Sequence, residues 1–226
     1  GESQRPLIYA GGGVINANAS AALRRFAQQY RVPVTTTLMG IGAVDTTDPL
    51  AMQMLGMHGA AFANYAVEDC DFLIAVGSRF DDRVAAIPDR FAPRARRVAH
   101  FDIDPAEIGK VRKADWHHVG VLDRDLDALT AWGQRHHPPQ DFSTWHAELA
   151  ELKRRHAYGY DRDSALIQPY YVIEEINRHT RGEAIITTGV GQHQIRAAQY
   201  FDFRHPLLWL SSVIMASYRK LPIVRA

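Results

Sequence analysis

The chain has one cysteine, Cys70, in 226 residues. No intrachain disulfide can form, which fits a reducing compartment, and the cytoplasm is the expected location. No apolar run approaches the roughly 18 residues a membrane helix needs. The opening Gly1-Glu2-Ser3-Gln4-Arg5-Pro6 lacks a signal-peptide pattern and reads as the middle of a longer chain. A basic excess is also missing. With 26 Lys plus Arg against 25 Asp plus Glu the net charge is +1, so nothing is available to neutralise phosphates across a nucleic-acid surface. Metal-ligand spacings are absent too: there is no Cys-x-x-Cys and no His-Glu-x-x-His. The adjacent pair His117-His118 would point to opposite faces of a strand and cannot share an ion. The sequence therefore predicts no protein-only metal site, no nucleic-acid partner and no membrane span. Cys70 reads as a small buried apolar residue rather than a nucleophile.

What is present is a globular composition, 46% apolar, enough for a full core. Residues 7–10 form a short apolar strand, followed by Gly11-Gly12-Gly13. A helix comes next, with Leu23, Phe26, Ala27 and Tyr30 at i, i+3, i+4 and i+7, capped by Asn18 or Ser20. Residues 32–37 are rich in β-branched side chains and read as a strand. A helix over 60–68 then leads to strands over 72–76, 97–103 and 118–121, and Asp123 caps a helix reaching 134. Such alternation implies α/β architecture, a parallel sheet with helices on both faces, as in Rossmann-like domains. His136-His137-Pro138-Pro139 breaks it, giving a first domain over 1–137. A linker and connecting helix follow over 138–164, the helix carrying Trp145, Leu149, Leu152 and His156 on one face. Residues 165–226 begin a second α/β domain, with a helix opened by Pro169, a strand over 184–188 and the turn Gly189-Val190-Gly191-Gln192-His193-Gln194.

Three stretches could hold a ligand. The glycine run departs from the dinucleotide fingerprint, because its sixth position is Asn16 and the second strand ends Thr35-Thr36-Thr37-Leu38-Met39 without an acid. It could bring backbone close to a ligand or make a plain tight turn. Gly77-Ser78-Arg79-Phe80-Asp81-Asp82-Arg83-Val84 follows a buried strand, and its two arginines suit a phosphate; a solvated loop is the alternative. Asp102, at a strand end, could accept from ribose hydroxyls, while Asp104 beside it could simply cap a turn. The turn at 189–194 precedes a helix and suits a phosphate, or is only a turn.

The run Val34-Thr35-Thr36-Thr37-Leu38-Met39-Gly40-Ile41-Gly42-Ala43, then Leu55-Gly56-Met57-His58-Gly59, then Arg79-Phe80-Asp81-Asp82-Arg83-Val84, resembles the central domain of acetohydroxyacid synthase (acetolactate synthase) catalytic subunits. Thr187-Thr188-Gly189-Val190-Gly191-Gln192-His193-Gln194 resembles the start of that family's third, thiamine diphosphate-binding domain. The resemblance covers about residues 5–212. It implies a transferase of branched-chain amino-acid biosynthesis that condenses two pyruvates, or pyruvate with 2-oxobutyrate, with loss of carbon dioxide. Its cofactors are thiamine diphosphate, Mg2+ and FAD, the last without net redox work. A homodimer or homotetramer and a regulatory small subunit are implied for the full-length enzyme.

By the same resemblance Gly11, Gly12 and Gly13 would approach FAD, with Thr37, Leu38 and Met39 beside it. Leu55, Gly56, Met57, His58 and Gly59 would line it. Gly77, Ser78, Arg79, Arg83 and Val84 would hold its phosphates and flavin side, and Asp102 and Ile103 its ribose and adenine end. Met57, Asp82 and Arg83 would border the substrate channel, and Val190, Gly191, Gln192 and His193 would contact the thiamine diphosphate phosphates. No catalytic residue and no metal ligand is expected here. The family's activating glutamate would precede Gly1, its Gly-Asp-Gly magnesium motif does not occur, and Gly120-Val121 lacks the acid of one adenosine contact. After Ser212 the chain departs from the family's glycine-rich run, as a truncated or frame-disturbed copy would. Other readings are a non-catalytic FAD- or nucleotide-binding module and a piece of another thiamine oxidase or carboligase.

Overall fold

The computed structural model describes residues 2–212; the expected divergence after Ser212 lies outside them. Six strands run parallel in one sheet: β1 (Pro6–Ala10), β2 (Val34–Thr36), β3 (Ala51–Met54), β4 (Phe72–Val76), β5 (Arg97–Asp102) and β6 (Trp116–Val119), in the order β3-β2-β1-β4-β5-β6. The chain winds outward from β1 to one edge, returns, and winds from β4 to the other. The order reverses between β1 and β4, where a doubly wound sheet opens a crevice beyond its carboxyl ends. The expected α/β fold is borne out.

β1 and β4 are buried along nearly their whole length, which explains their continuous apolar runs. β3 went unread in the sequence. It is built from Ala, Met and Gln, carries no β-branched residue, and is irregular: two steps on β2 match three on β3. Gln53 takes φ +56° there, and Thr35 Oγ1 donates to its carbonyl at 2.9 Å. β6 begins two residues earlier than expected, because Asp102 pairs with Val119 and the Gly120 amide already turns back onto the Asp102 carbonyl.

The helices are α1 (Gly12–Asn16), α2 (Ser20–Tyr30), α3 (Ala61–Asp69), α4 (Leu122–His136) and α5 (Ser143–Arg155). α2 buries Leu23, Phe26 and Ala27 as its periodicity predicts, but neither Asn18 nor Ser20 caps it. Ala19 holds the cap position without a side-chain bond, and Asn18 is left-handed at φ +52°. Asp123 likewise lies inside the first turn of α4, after Val121 at the cap. α5, expected within the interdomain connection, packs against the central sheet. Trp145 and Leu149 join the main core, and the Trp145 indole donates to the Pro6 carbonyl at 3.0 Å.

Beyond it lie α6 (Pro169–Thr180), β7 (Ile186–Thr188), α7 (Gln192–Tyr200) and β8 (Trp209–Ser211), with β7 and β8 parallel. Their core contains Ala197, Phe201, Phe203 and Trp209 and also takes Ile41 and Met54 from the first unit.

Candidate functional site

All the expected central-domain residues fall where five of the six parallel strands end. Gly11 follows β1, Thr37 follows β2, Leu55 follows β3 and Gly77 follows β4, while Asp102 ends β5. Loops spread from Gly11 to Ile103 in sequence thus share one edge of the sheet. They do not share one role.

Part of the set builds the edge from within. Gly11 donates its amide to Val76 and Gly13 to the Gly77 carbonyl, at 2.9 and 3.0 Å. Gly77, at φ +55°, lies so close that a Cβ on it would sit 2.9 Å from the Gly13 Cα. These glycines let two loops meet across the β1–β4 crevice, which explains their presence without any ligand. Ser78 differs from its expected placement as a phosphate ligand. Its hydroxyl is buried and donates to the Tyr9 carbonyl at 3.0 Å, and its carbonyl accepts from His100 Nε2 at 2.9 Å. Leu55 is buried as well.

The residue that sequence reasoning missed is Phe80. Tyr9, Ala75 and His100 are register partners on β1, β4 and β5 and so project from one face of the sheet. The small Ala75 leaves a slot between two rings. Phe80 fills it, edge-on to Tyr9 at 5.3 Å and to His100 at 5.2 Å, with Phe91 at 5.8 Å behind. The fit holds Phe80 at φ +54°, an uncommon conformation for a non-glycine residue. Its signal in the sequence was a lone aromatic among four charged residues. Burial pushes the Tyr9 phenol up and the His100 imidazole down from their ordinary values.

Anchored by Phe80, the same loop presents Arg79, Asp82 and Arg83 outward, all exposed. Hydrogen bonds from the Asp82 side chain and the Arg83 amide hold the Asp81 carboxyl below its usual range. Neither the Arg79 nor the Arg83 guanidinium makes an ion pair or hydrogen bond among the described residues. At the same carboxyl edge of the sheet Met39, Met57 and Ile103 stand 48%, 69% and 68% exposed. Asp102 is buried and accepts from the Asp104 amide through Oδ1 at 3.0 Å, leaving Oδ2 without a bond among the described residues. Asp104 caps its own turn through Ala106. Unpartnered guanidinium groups, exposed apolar side chains and a half-engaged carboxylate fit a ligand with phosphates, a flat ring and sugar hydroxyls, as FAD has. A cavity of about 660 Å³ lies elsewhere, at the amino ends of β2 and β3 beside Arg31, Pro49, His146 and Lys153.

Val190 and Gly191 precede α7, and Gln192 and His193 begin it, both exposed. Gln192 Oε1 accepts from Arg196. Gln194 is turned inward onto Ser211 and the Ser212 carbonyl. At the other end of α7, Gln199 Nε2 donates to the His58 carbonyl at 2.9 Å. Among the described residues no three His, Cys, Asp or Glu side chains cluster as metal ligands. No helix there is long and apolar enough to cross a membrane.

A doubly wound parallel sheet whose loops gather at a switch point beyond the strands' carboxyl ends is the architecture of an α/β domain that places its ligand sites there. The family model "Thiamine pyrophosphate enzyme, central domain" matches residues 1–129, and the chain belongs to that family. It is 47% identical over 218 residues to "Acetolactate synthase 1, chloroplastic" of Zea mays, covering 94% of this chain and 33% of the relative. It is 47% identical to "Acetolactate synthase large subunit" of Parasynechococcus marenigrum, with 93% and 34% covered, and 45% to the protein of the same name from Corynebacterium glutamicum, with 94% and 34% covered. The chain thus spans about a third of the length of the curated relatives it matches.

Proposed function

We propose that this chain is the FAD-binding central part of an acetolactate synthase, followed by the opening of its thiamine diphosphate-binding domain. The observation that carries this is the outward pair Arg79 and Arg83, held over the switch point by Phe80, whose guanidinium groups make no hydrogen bond or ion pair among the described residues. The names of the relatives support the reaction: condensation of two pyruvates, or of pyruvate with 2-oxobutyrate, with decarboxylation. The complete enzyme would act as a homodimer or homotetramer with a regulatory small subunit. Cys70 as the sole cysteine supports a reducing compartment, which we take to be the cytoplasm.

In this reading Arg79 and Arg83 bind the FAD diphosphate, and Asp102 Oδ2 accepts from a ribose hydroxyl. Met39, Met57 and Ile103 cover the rings and exclude water. Asp82, Met57 and Arg83 border the path of the 2-oxo acids. Val190, Gly191, Gln192 and His193 form one part of a phosphate cradle for thiamine diphosphate, which when bound supplies the carbanion-stabilising chemistry of the condensation. Mg2+ would be held by groups other than the described ones.

The test is titration of the purified chain with FAD, followed by quenching of flavin fluorescence, beside an acetolactate assay with pyruvate, FAD, thiamine diphosphate and magnesium. Saturable FAD binding without turnover is expected. A folded chain that never quenches the flavin would overturn the FAD assignment, and turnover above a heat-killed control would overturn the division of labour.

A further inference from the structure

Asn64 lies on the first turns of α3, partly buried, eight residues beyond Gly56. Its Oδ1 accepts the Gly56 amide at 2.8 Å and its Nδ2 donates to the Gly56 carbonyl at 3.0 Å. One carboxamide therefore closes on both polar groups of a single backbone residue. The geometry is selective. Among short side chains only Asn carries a donor and an acceptor side by side, and Gln is one methylene longer.

What Asn64 grips is unusual backbone. Gly56 takes φ +99°, which side-chain-bearing residues rarely adopt, and glycine has little intrinsic preference for that conformation over others. The amide of the next residue, Met57, donates to the Arg83 carbonyl at 2.9 Å, and the Gly59 amide closes a turn onto Gly56. The loop that presents Met57 and His58 is thus clamped on one side by Asn64 and tied on the other to the Arg83 loop. Without the carboxamide, the Gly56 amide would lose its only partner among the described residues.

We propose that Asn64 is a positioning residue: by fixing Gly56 in its left-handed conformation it sets Met57 and His58 at the carboxyl edge and keeps the Arg83 loop in register with them. The consequence for cofactor binding rests on the reading of this edge as an FAD site.

Three variants of the whole chain test it: Asn64→Ala, Asn64→Asp and, as a control on the exposed face of the same helix, Glu68→Gln. Two readouts are needed besides the melting temperature. Amide hydrogen exchange at Gly56 and Met57 requires no cofactor and should accelerate about tenfold or more in Asn64→Ala, as a lost buried hydrogen-bond pair implies. The FAD dissociation constant should rise by about tenfold in both Asn64 variants and stay at the wild-type value in Glu68→Gln. Asn64→Asp adds a signature that a general loss of structure would not give. Its carboxylate can accept from Gly56 but cannot donate back, whereas the protonated acid can do both. FAD affinity relative to wild type at each pH should therefore recover as the pH falls from about 6 towards 4, through the ordinary carboxyl range. Unchanged exchange at Gly56 and Met57 in a folded Asn64→Ala chain would overturn the proposal, as would unchanged FAD affinity where wild type binds. If folded wild type takes up no FAD, the cofactor reading fails, and the exchange result still decides whether Asn64 positions the loop.

Discussion

The Met57 amide and the Arg83 carbonyl meet at 2.9 Å, joining two loops that leave different strands. Packing beside that bond leaves no room for a side chain on Gly56, where a Cβ would sit 2.8 Å from the same carbonyl oxygen. Gly56→Ala should therefore combine backbone strain with a collision. A loss of about 1–3 kcal/mol in urea unfolding is expected, with weaker FAD binding. Wild-type stability in Gly56→Ala would show that the two loops are not held together.

Phe80 is 2% exposed and fills the slot over Ala75. Phe80→Ala should cost about 3–5 kcal/mol, the usual range for an aromatic removed from a core. Phe80→Leu should cost less and retain more FAD affinity. Equilibrium unfolding gives the first quantity and flavin titration the second; equal stability of Phe80→Ala and wild type would mean the loop is anchored by something else.

Among the described residues the Arg79 and Arg83 side chains make no hydrogen bond or ion pair and feel the charge of the Asp81 carboxyl, so their contribution should be read in salt dependence. Raising ionic strength from about 10 mM to 150 mM shortens the Debye length from roughly 30 Å to 8 Å. FAD affinity should fall over that range in wild type and fall less in Arg79→Ala. Arg83→Lys keeps the charge but loses the planar fork, so its salt dependence should persist while affinity drops by about tenfold. Identical salt curves for all three proteins would remove the arginines from the site.

His100 is fully buried, donates Nε2–H to the Ser78 carbonyl, and has no partner at Nδ1 among the described residues. Burial lowers its affinity for a proton below the ordinary value of 6.5, against the opposing pull of Asp102 and Glu107. The unfolded chain therefore takes up a proton near pH 6.5 that the folded chain refuses. The stability linked to this group is complete above pH 6.5 and is lost as the pH falls below it, by at most about 1.4 kcal/mol per pH unit. Thermal melts of wild type and His100→Gln between pH 8 and 5 should diverge on the acid side, with wild type falling faster. Parallel curves would assign acid sensitivity to other groups.

The sheet was legible where the chain itself carries the signal. Phe72 to Val76 is short, apolar and closed by Gly77, and it is β4 as read. β3 was illegible because Ala51, Met52, Gln53 and Met54 favour no strand, and only pairing with β2 makes them one. Among candidate site residues, Met39, Met57, Arg79, Arg83 and Ile103 stand exposed at the edge. Ser78 points inward because its hydroxyl meets the Tyr9 carbonyl, a contact between residues 69 apart. Phe80 and Asn64 were missed for the same reason. Their partners, Tyr9, His100 and Gly56, come within reach only when the strands are side by side and α3 has folded back.

α7 begins just after the turn at Gly191 and carries Gln199, which holds the His58 carbonyl, in its last turn. At 1.5 Å per residue the two points are separated by roughly 10 Å of rigid helix. The helix is in effect a gauge block between two seats, the Gly191 turn and the His58 loop. Inserting a single alanine within it would rotate Gln199 by about 100° around the axis and strip His58 of its partner, while leaving the turn at Gly191 chemically intact. Spacing between the seats is thereby written into the number of residues in one helix, and natural variation in its length should be far rarer than variation in its exposed side chains.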